Sequence, residues 1–255
     1  MTSLAWRFVH HHIILTHPPF RLLLQQIYSG GSGAVFSFST IPTSSIQYPS
    51  SSFVNKQRAN EDDTKIAIKV SWERSRSSVE KECNVLQTLE SVPHVERCLG
   101  KPIPYPYSEN GRTMIALSPV ISSSTLSDSV TSSLTKVTPG QAQLNCVRSI
   151  VQTLVGMLKL GVYTVDVQPL INVNTGETIF IDFTEANYFS NPLTPSDEAA
   201  LVGFCGEMIA LVPDSLRGVA VEYLRSELDG TLNSSIKSTP LPEEVIGILE
   251  SVWVD

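Results

Sequence analysis

A lysine in the middle of an apolar run constrains this chain more than any other single feature. Residues 64–70 read T-K-I-A-I-K-V, alternating strand text with Lys69 inside it. Desolvating an ammonium costs several kcal/mol unless an anion meets it. The fold therefore has to bring a carboxylate to that strand. Glu82 is well placed to supply one. It opens E-C-N-V-L-Q-T-L-E, where Val85, Leu86 and Leu89 recur at helical spacing. A strand lysine answered by a helix glutamate is the first expectation.

The 255 residues allow one large domain or two lobes sharing an interface. With 42% hydrophobic and 17% charged residues the composition is that of an ordinary globular protein. A net charge of −7 without any basic stripe argues against nucleic acid as a partner. No run of 18 apolar residues occurs, so no membrane-spanning helix and no membrane partner are expected, with the cytoplasm as the default location. Cys83, Cys98, Cys146 and Cys205 show no C-x-x-C spacing. They read as reduced, mostly buried thiols rather than as a disulfide scaffold or zinc site. Residues 1–20 carry Trp6, Phe8, Val9, the histidines His10–His12 and the apolar Ile13–Leu15. They read as an N-terminal extension, an extended segment or strand with half-exposed imidazoles.

Strand-like text at 21–28, 34–39, 65–71, 95–100 and 113–120 predicts a five-stranded, mostly antiparallel sheet. One helix, at about 77–91, accompanies it. Residues 40–63 form a Ser/Pro-rich and then charged insert, expected as a surface loop. The Ser/Thr stretch at 122–138 marks the passage to a second, mostly helical region. Leu144, Val147, Ile150, Val151, Leu154 and Leu158 predict a helix over 141–160. Two short strands then flank the turn N-T-G-E at 174–177. Pro195-Ser196-Asp197 caps a helix over about 197–211, and helices near 214–228 and 242–253 close the chain. The fold class read from this is α+β.

Three pieces carry chemistry. Tyr28-Ser29-Gly30-Gly31-Ser32-Gly33-Ala34-Val35 lies between two strands, where glycines let backbone N–H groups approach phosphate oxygens. A glycine-rich hairpin turn satisfies the same string. The second piece is Lys69 with Glu82. The third is V-Y-T-V-D-V-Q-P-L-I-N-V-N-T-G-E-T-I-F-I-D-F-T-E-A, residues 162–186. Here Asp166 and Asp182 bracket a strand–turn–strand unit, so the hairpin returns both carboxylates to one edge. There one carboxylate can orient a hydroxyl and the other a metal ion.

In this order the pieces resemble the protein-kinase-like family over residues 21–212. Gly30, Gly33 and Val35 match three positions of G-x-G-x-x-G-x-V, with Gly31 beside them, and Ile66-Ala67-Ile68-Lys69 matches V-A-I-K. Glu82 matches the αC glutamate, Asp166 the aspartate of H-R-D, and Asp182-Phe183 the start of D-F-G. Leu117-Ser118-Pro119-Val120 falls where a hinge meets adenine, and Asp197 falls near the start of a helix resembling αF, where the family keeps an aspartate that supports the catalytic loop. The resemblance implies a bilobal protein-kinase-like fold: an N-lobe over 21–118 with an αC-like helix, and a shortened C-lobe over 119–255. It implies ATP and Mg²⁺ as cofactors, with Lys69 and Asp166 catalytic. Gly30, Gly31, Gly33, Val35, Ala67, Lys69, Glu82, Leu117 and Val120 would line the nucleotide, and Asp182 and Asn172 would hold metal.

Several positions depart from the pattern. The catalytic-loop asparagine position is Ile171, with Asn172 one residue late, and the lysine of D-L-K-P is Gln168. No A-P-E string separates Asp182 from Asp197, which leaves little room for a peptide-docking segment. Two expectations follow from the resemblance. One is an ATP-dependent phosphotransferase acting on a protein or small-molecule hydroxyl. The other is a catalytically impaired pseudokinase serving as a nucleotide-binding or protein-interaction scaffold. The histidines at 10, 11, 12, 17 and 94 stand far in sequence from the late aspartates, which disfavours a Ser-His-Asp hydrolase.

Overall fold

β-Branched and aromatic residues of the first half pair into one extended sheet, and the strand carrying Lys69 becomes an interior strand of it. The computed structural model describes residues 5–9, 12–17, 20–29, 33–41, 66–72, 75–104, 112–118, 130–229 and 240–254. The architecture is mixed α+β, an antiparallel sheet with five α-helices among the described residues. The sheet contains β1 (Ala5–Val9), β2 (His12–His17), β3 (Phe20–Ser29), β4 (Gly33–Ile41) and β5 (Ile66–Ser71). It is completed by β6 (Arg97–Cys98), β7 (Ile103–Pro104) and β8 (Thr113–Ser118). The spatial order is β1-β2-β3-β4-β5-β8-β6, with β7 also paired to β8.

Eight strands stand where five were expected. Two of the additional strands, β1 and β2, come from the segment read as an extension. Its apolar residues run consecutively instead of alternating, which hid a hairpin that pairs Ala5 with Thr16 through Val9 with His12. The strand expected over 95–100 shortens to Arg97–Cys98. Beyond Ile41 the expected 40–63 insert lies outside the described residues.

Helix α1 (Arg76–Thr88) covers the sheet. Val79, Glu82, Cys83 and Leu86 are buried at i, i+3, i+4 and i+7, so Glu82 rides into the interface on an otherwise apolar stripe. Cys83 on this stripe is disulfide-bonded to Cys98 on β6, with Cα atoms 5.3 Å apart. This corrects the reading of all four cysteines as thiols, and with it a support for the cytoplasmic expectation. Sequence spacing conceals the pair because a helix face and a strand have to meet before the two sulfurs can. Cys146 and Cys205 are free and buried, with burial pushing the thiols up to about 11 and about 12.

The second half is built on α2 (Gln141–Lys159), whose buried residues include Cys146, Val147, Ile150, Val151, Leu154 and Leu158. Around it lie α3 (Pro195–Ala210), α4 (Arg217–Leu228) and α5 (Glu243–Trp253), with α2 packed on α4 and α3 on α5. The Trp253 indole N–H donates to the Cys205 carbonyl at 3.0 Å, satisfying the polar end of a buried ring. Between α2 and α3 the chain forms β10 (Val162–Thr164), β11 (Gln168–Asn172), β12 (Thr178–Ile181) and β13 (Ala186–Tyr188). Strand β10 pairs with β13, while β11 lies between β12 and the short β9 (Val130–Thr131). One apolar core runs from Ala67 on β5 to Trp253 on α5. Among the described residues, no single helix is long and apolar enough to cross a membrane.

The disulfide closes a loop with a sequence separation of 15 residues. Cys98→Ser is expected to lower stability by about 3 kcal/mol. It is also expected to abolish the loss that dithiothreitol produces in wild-type thermal unfolding.

Candidate functional site

Lys69 emerges from β5 opposite Val35 on β4 and Ile115 on β8. Its residue is 3% exposed, and both carboxylates that answer it come from other elements. Its Nζ donates to Glu82 Oε1 at 2.8 Å and to Asp182 Oδ1 at 2.7 Å. Burial by itself lowers an ammonium's pKa, but the two carboxylates outweigh it and hold Lys69 above its ordinary value. Asp182 shows the mirror behaviour. Burial pushes its carboxyl up, yet Lys69 and Thr184, whose hydroxyl donates at 2.7 Å, leave it below the usual value.

Asp182 directly follows β12 and adopts a left-handed backbone, φ 60° and ψ 71°. In the hairpin register Gln168 on β11 stands opposite Ile181, so Asp166 and Asp182 return to the same end. Asp166 is exposed there, and Gln168 Nε2 donates to its Oδ2 at 2.6 Å. Helix α1 also grips the segment after Asp182: Lys81 donates to Asn187 Oδ1 at 2.7 Å, and Thr88 and Tyr188 share a hydroxyl bond of 2.8 Å.

A fourth ionisable group belongs to this cluster and went unread in the sequence. Glu96 is 6% exposed, and its Oε1 accepts the Asp182 backbone N–H at 2.6 Å. Burial, reinforced by Glu82 nearby, pushes its carboxyl up to about 8. Burial likewise pushes Glu82 up to about 7 against the pull of Lys69, and the buried Glu82 Oε2 has no hydrogen-bond partner among the described residues. The signal was faint: in V-E-R-C, residues 95–98, Glu96 stands beside the charged Arg97, on a segment too short to mark an inside face.

The register sets Val35, Ala67 and Leu117 on the Lys69 face, with Ala67 opposite Leu117 and Val35 opposite Lys69. Gly33 opens β4 opposite Ser71, where an added Cβ would collide with the Val70 carbonyl oxygen. Close pairing with β5 therefore accounts for this glycine. Gly30, Gly31 and Val120 lie outside the described residues.

Two expectations are corrected. Asn172 does not stand beside Asp182. It closes the far end of the hairpin, where its Oδ1 accepts the N–H groups of Asn174 and Thr175 at 3.0 and 3.2 Å. Four residue steps along the strand, about 13 Å, carry it away from Gln168, because the turn N-T-G-E begins two residues after it and recruits its side chain. Asp197, expected to brace the loop bearing Asp166, instead sits at the third position of α3 in a capping box with Thr194, and it also bonds Ser190. These hydroxyls hold its carboxyl down at about 2.

Among the described residues, no group of three or more His, Cys, Asp or Glu side chains is arranged to hold a metal ion. Asp182 can supply a single hard oxygen ligand, the kind that Mg²⁺ takes together with phosphate oxygens. A cleft of about 390 Å³ between α4 and α5, lined by Arg225 and Glu250 among others, shares no residue with the cluster. The chain matches no protein-family model and no curated protein.

Glu82 and Glu96 have folded-state values above the ordinary 4.5. Such groups hold their protons more tightly when folded, so the stability they contribute is full below about pH 4.5 and is lost as pH rises toward 7 and 8. Asp182 and Lys69 act oppositely at the extremes: Asp182 contributes above its ordinary 3.8, and Lys69 contributes below its ordinary 10.5. Thermal unfolding is therefore expected to show a falling midpoint between about pH 5 and about pH 8. Glu96→Gln is expected to flatten that fall.

Proposed function

We propose that this chain is an ATP-binding, protein-kinase-like phosphotransferase that moves the γ-phosphate of ATP to a hydroxyl. The observation that carries this reading is the buried bridge from Lys69 to both Glu82 and Asp182. A lysine locked between a helix glutamate and a strand-end aspartate is a preorganised cation for phosphate oxygens. Catalysis of this type is largely positioning and electrostatics. The bilobal arrangement, an N-lobe around β3–β8 and α1 and a C-lobe around α2–α5, belongs to the same proposal.

Each residue then has a defined role. Lys69 holds the α/β-phosphates, and Glu82 keeps its ammonium aimed at them. Val35, Ala67 and Leu117 offer an apolar face to the base. Asp182 presents its carboxylate to Mg²⁺, which when bound neutralises charge developing on the transferred phosphoryl group. Asp166, exposed at the same hairpin end, orients the acceptor hydroxyl and takes its proton. Gln168 holds Asp166 through its amide, which leaves the charge of the usual lysine unreplaced.

A second reading, a pseudokinase scaffold, is favoured by one observation. Asn172 is committed to its turn, so only Asp182 of the two expected metal residues remains available.

Two measurements separate the readings. Transfer of labelled γ-phosphate is expected from wild type and abolished in Asp182→Ala; equal transfer by both proteins would refute the phosphotransfer reading. Mg-ATP at 100 times its dissociation constant is expected to stabilise the protein by about 2.7 kcal/mol. Stabilisation without any transfer would leave the scaffold reading in its place.

A further inference from the structure

A strand normally ends when its backbone N–H groups run out of acceptors, and β12 ends in an unusual way. Alongside it, residues 94–96 add a short parallel pairing: Phe180 N–H donates to His94 O at 2.8 Å, and Glu96 N–H donates to Phe180 O at 3.0 Å. The next N–H due on that side belongs to Asp182. It is met by the side chain of Glu96, whose Oε1 lies 2.6 Å away. The Glu96 carboxyl thus extends the ladder by one rung beyond the strand.

That rung falls where the backbone is least at ease. A left-handed conformation is strained for a non-glycine residue. It persists only where its surroundings over-determine it. Asp182 is held on two sides, its N–H by Glu96 and its Oδ1 by Lys69 and Thr184. The turn it makes is what swings the carboxylate out of the strand direction and onto Lys69.

We infer that Glu96 is a positioning residue, one that fixes the backbone of Asp182 so that its carboxylate faces the Lys69 site. The role rests on reading Asp182 as the metal-facing carboxylate. Its requirement is an acceptor oxygen at this position rather than a negative charge. A glutamine therefore does the same work, and a leucine of similar bulk does not.

The test compares full-length wild type, Glu96→Gln and Glu96→Leu. In ¹H–¹⁵N spectra the Asp182 amide is expected to be downfield and slow to exchange in wild type and in Glu96→Gln, and to lose both properties in Glu96→Leu. Binding of ATP is then measured with and without Mn²⁺. Glu96→Leu is expected to lose about tenfold or more of the metal-dependent affinity. Its metal-free binding, carried by Lys69, stays close to wild type, and Glu96→Gln follows wild type in both. A fast-exchanging Asp182 amide in wild type overturns the inference, and so does Glu96→Leu binding Mn²⁺-ATP as wild type does. Should Glu96→Leu fail to fold, the wild-type and Glu96→Gln amides decide the matter alone. Should wild type bind no nucleotide, the phosphotransfer reading fails, while the Asp182 amide still reports whether Glu96 sets that backbone.

Discussion

An ammonium enclosed by protein and gripped by two carboxylates is the interaction on which the rest of this structure depends. Lys69 is carried on an interior strand, so its main chain is committed on both sides and its side chain can leave only across the sheet face. There it meets a glutamate on the stripe that docks α1 and an aspartate where β12 ends. Removing either anion would still leave the ammonium one carboxylate, but would cut one of the two ties it makes between elements. The ion pairs thereby tie three segments, remote along the chain, to one another. The sheet, α1 and the end of β12 are held to one point by them.

The parts of the cluster legible in the sequence were those that broke a local pattern. Lys69 interrupts an alternating apolar run, and Asp182 terminates I-F-I. Charge inside an apolar run needs a partner, so the run itself demanded the meeting. The hairpin that returns Asp166 and Asp182 to one end was equally readable, because N-T-G-E announces its turn. Glu96 broke no pattern, and its place against the Asp182 amide follows only from the parallel pairing of residues 94–96 with β12. Asn172 misled for the opposite reason: its nearness in sequence to a family position hid how strongly an asparagine before a turn is drawn to neighbouring N–H groups. The helices emerged near their expected bounds. The N-terminal hairpin escaped because a run of consecutive apolar residues gives no strand period. The disulfide escaped because it joins a helix face to a strand.

Helix α1 carries an uncommon number of ties for its length. The ion pair to Lys69, the disulfide to β6 and the polar contacts of Lys81 and Thr88 with β13 lie along it in succession. A helix tethered at so many points moves as part of its surroundings. Opening at the cluster then requires several unlike bonds to yield together, which places α1 among the more stable parts of the molecule.

The left-handed backbone at Asp182 has a bearing on descent. Asparagine and glycine are the residues that tolerate this conformation best, and the aspartate codons lie one base change from codons for both. A single base change can thus remove the carboxylate, and with it one of the two anions on Lys69, without straining the turn.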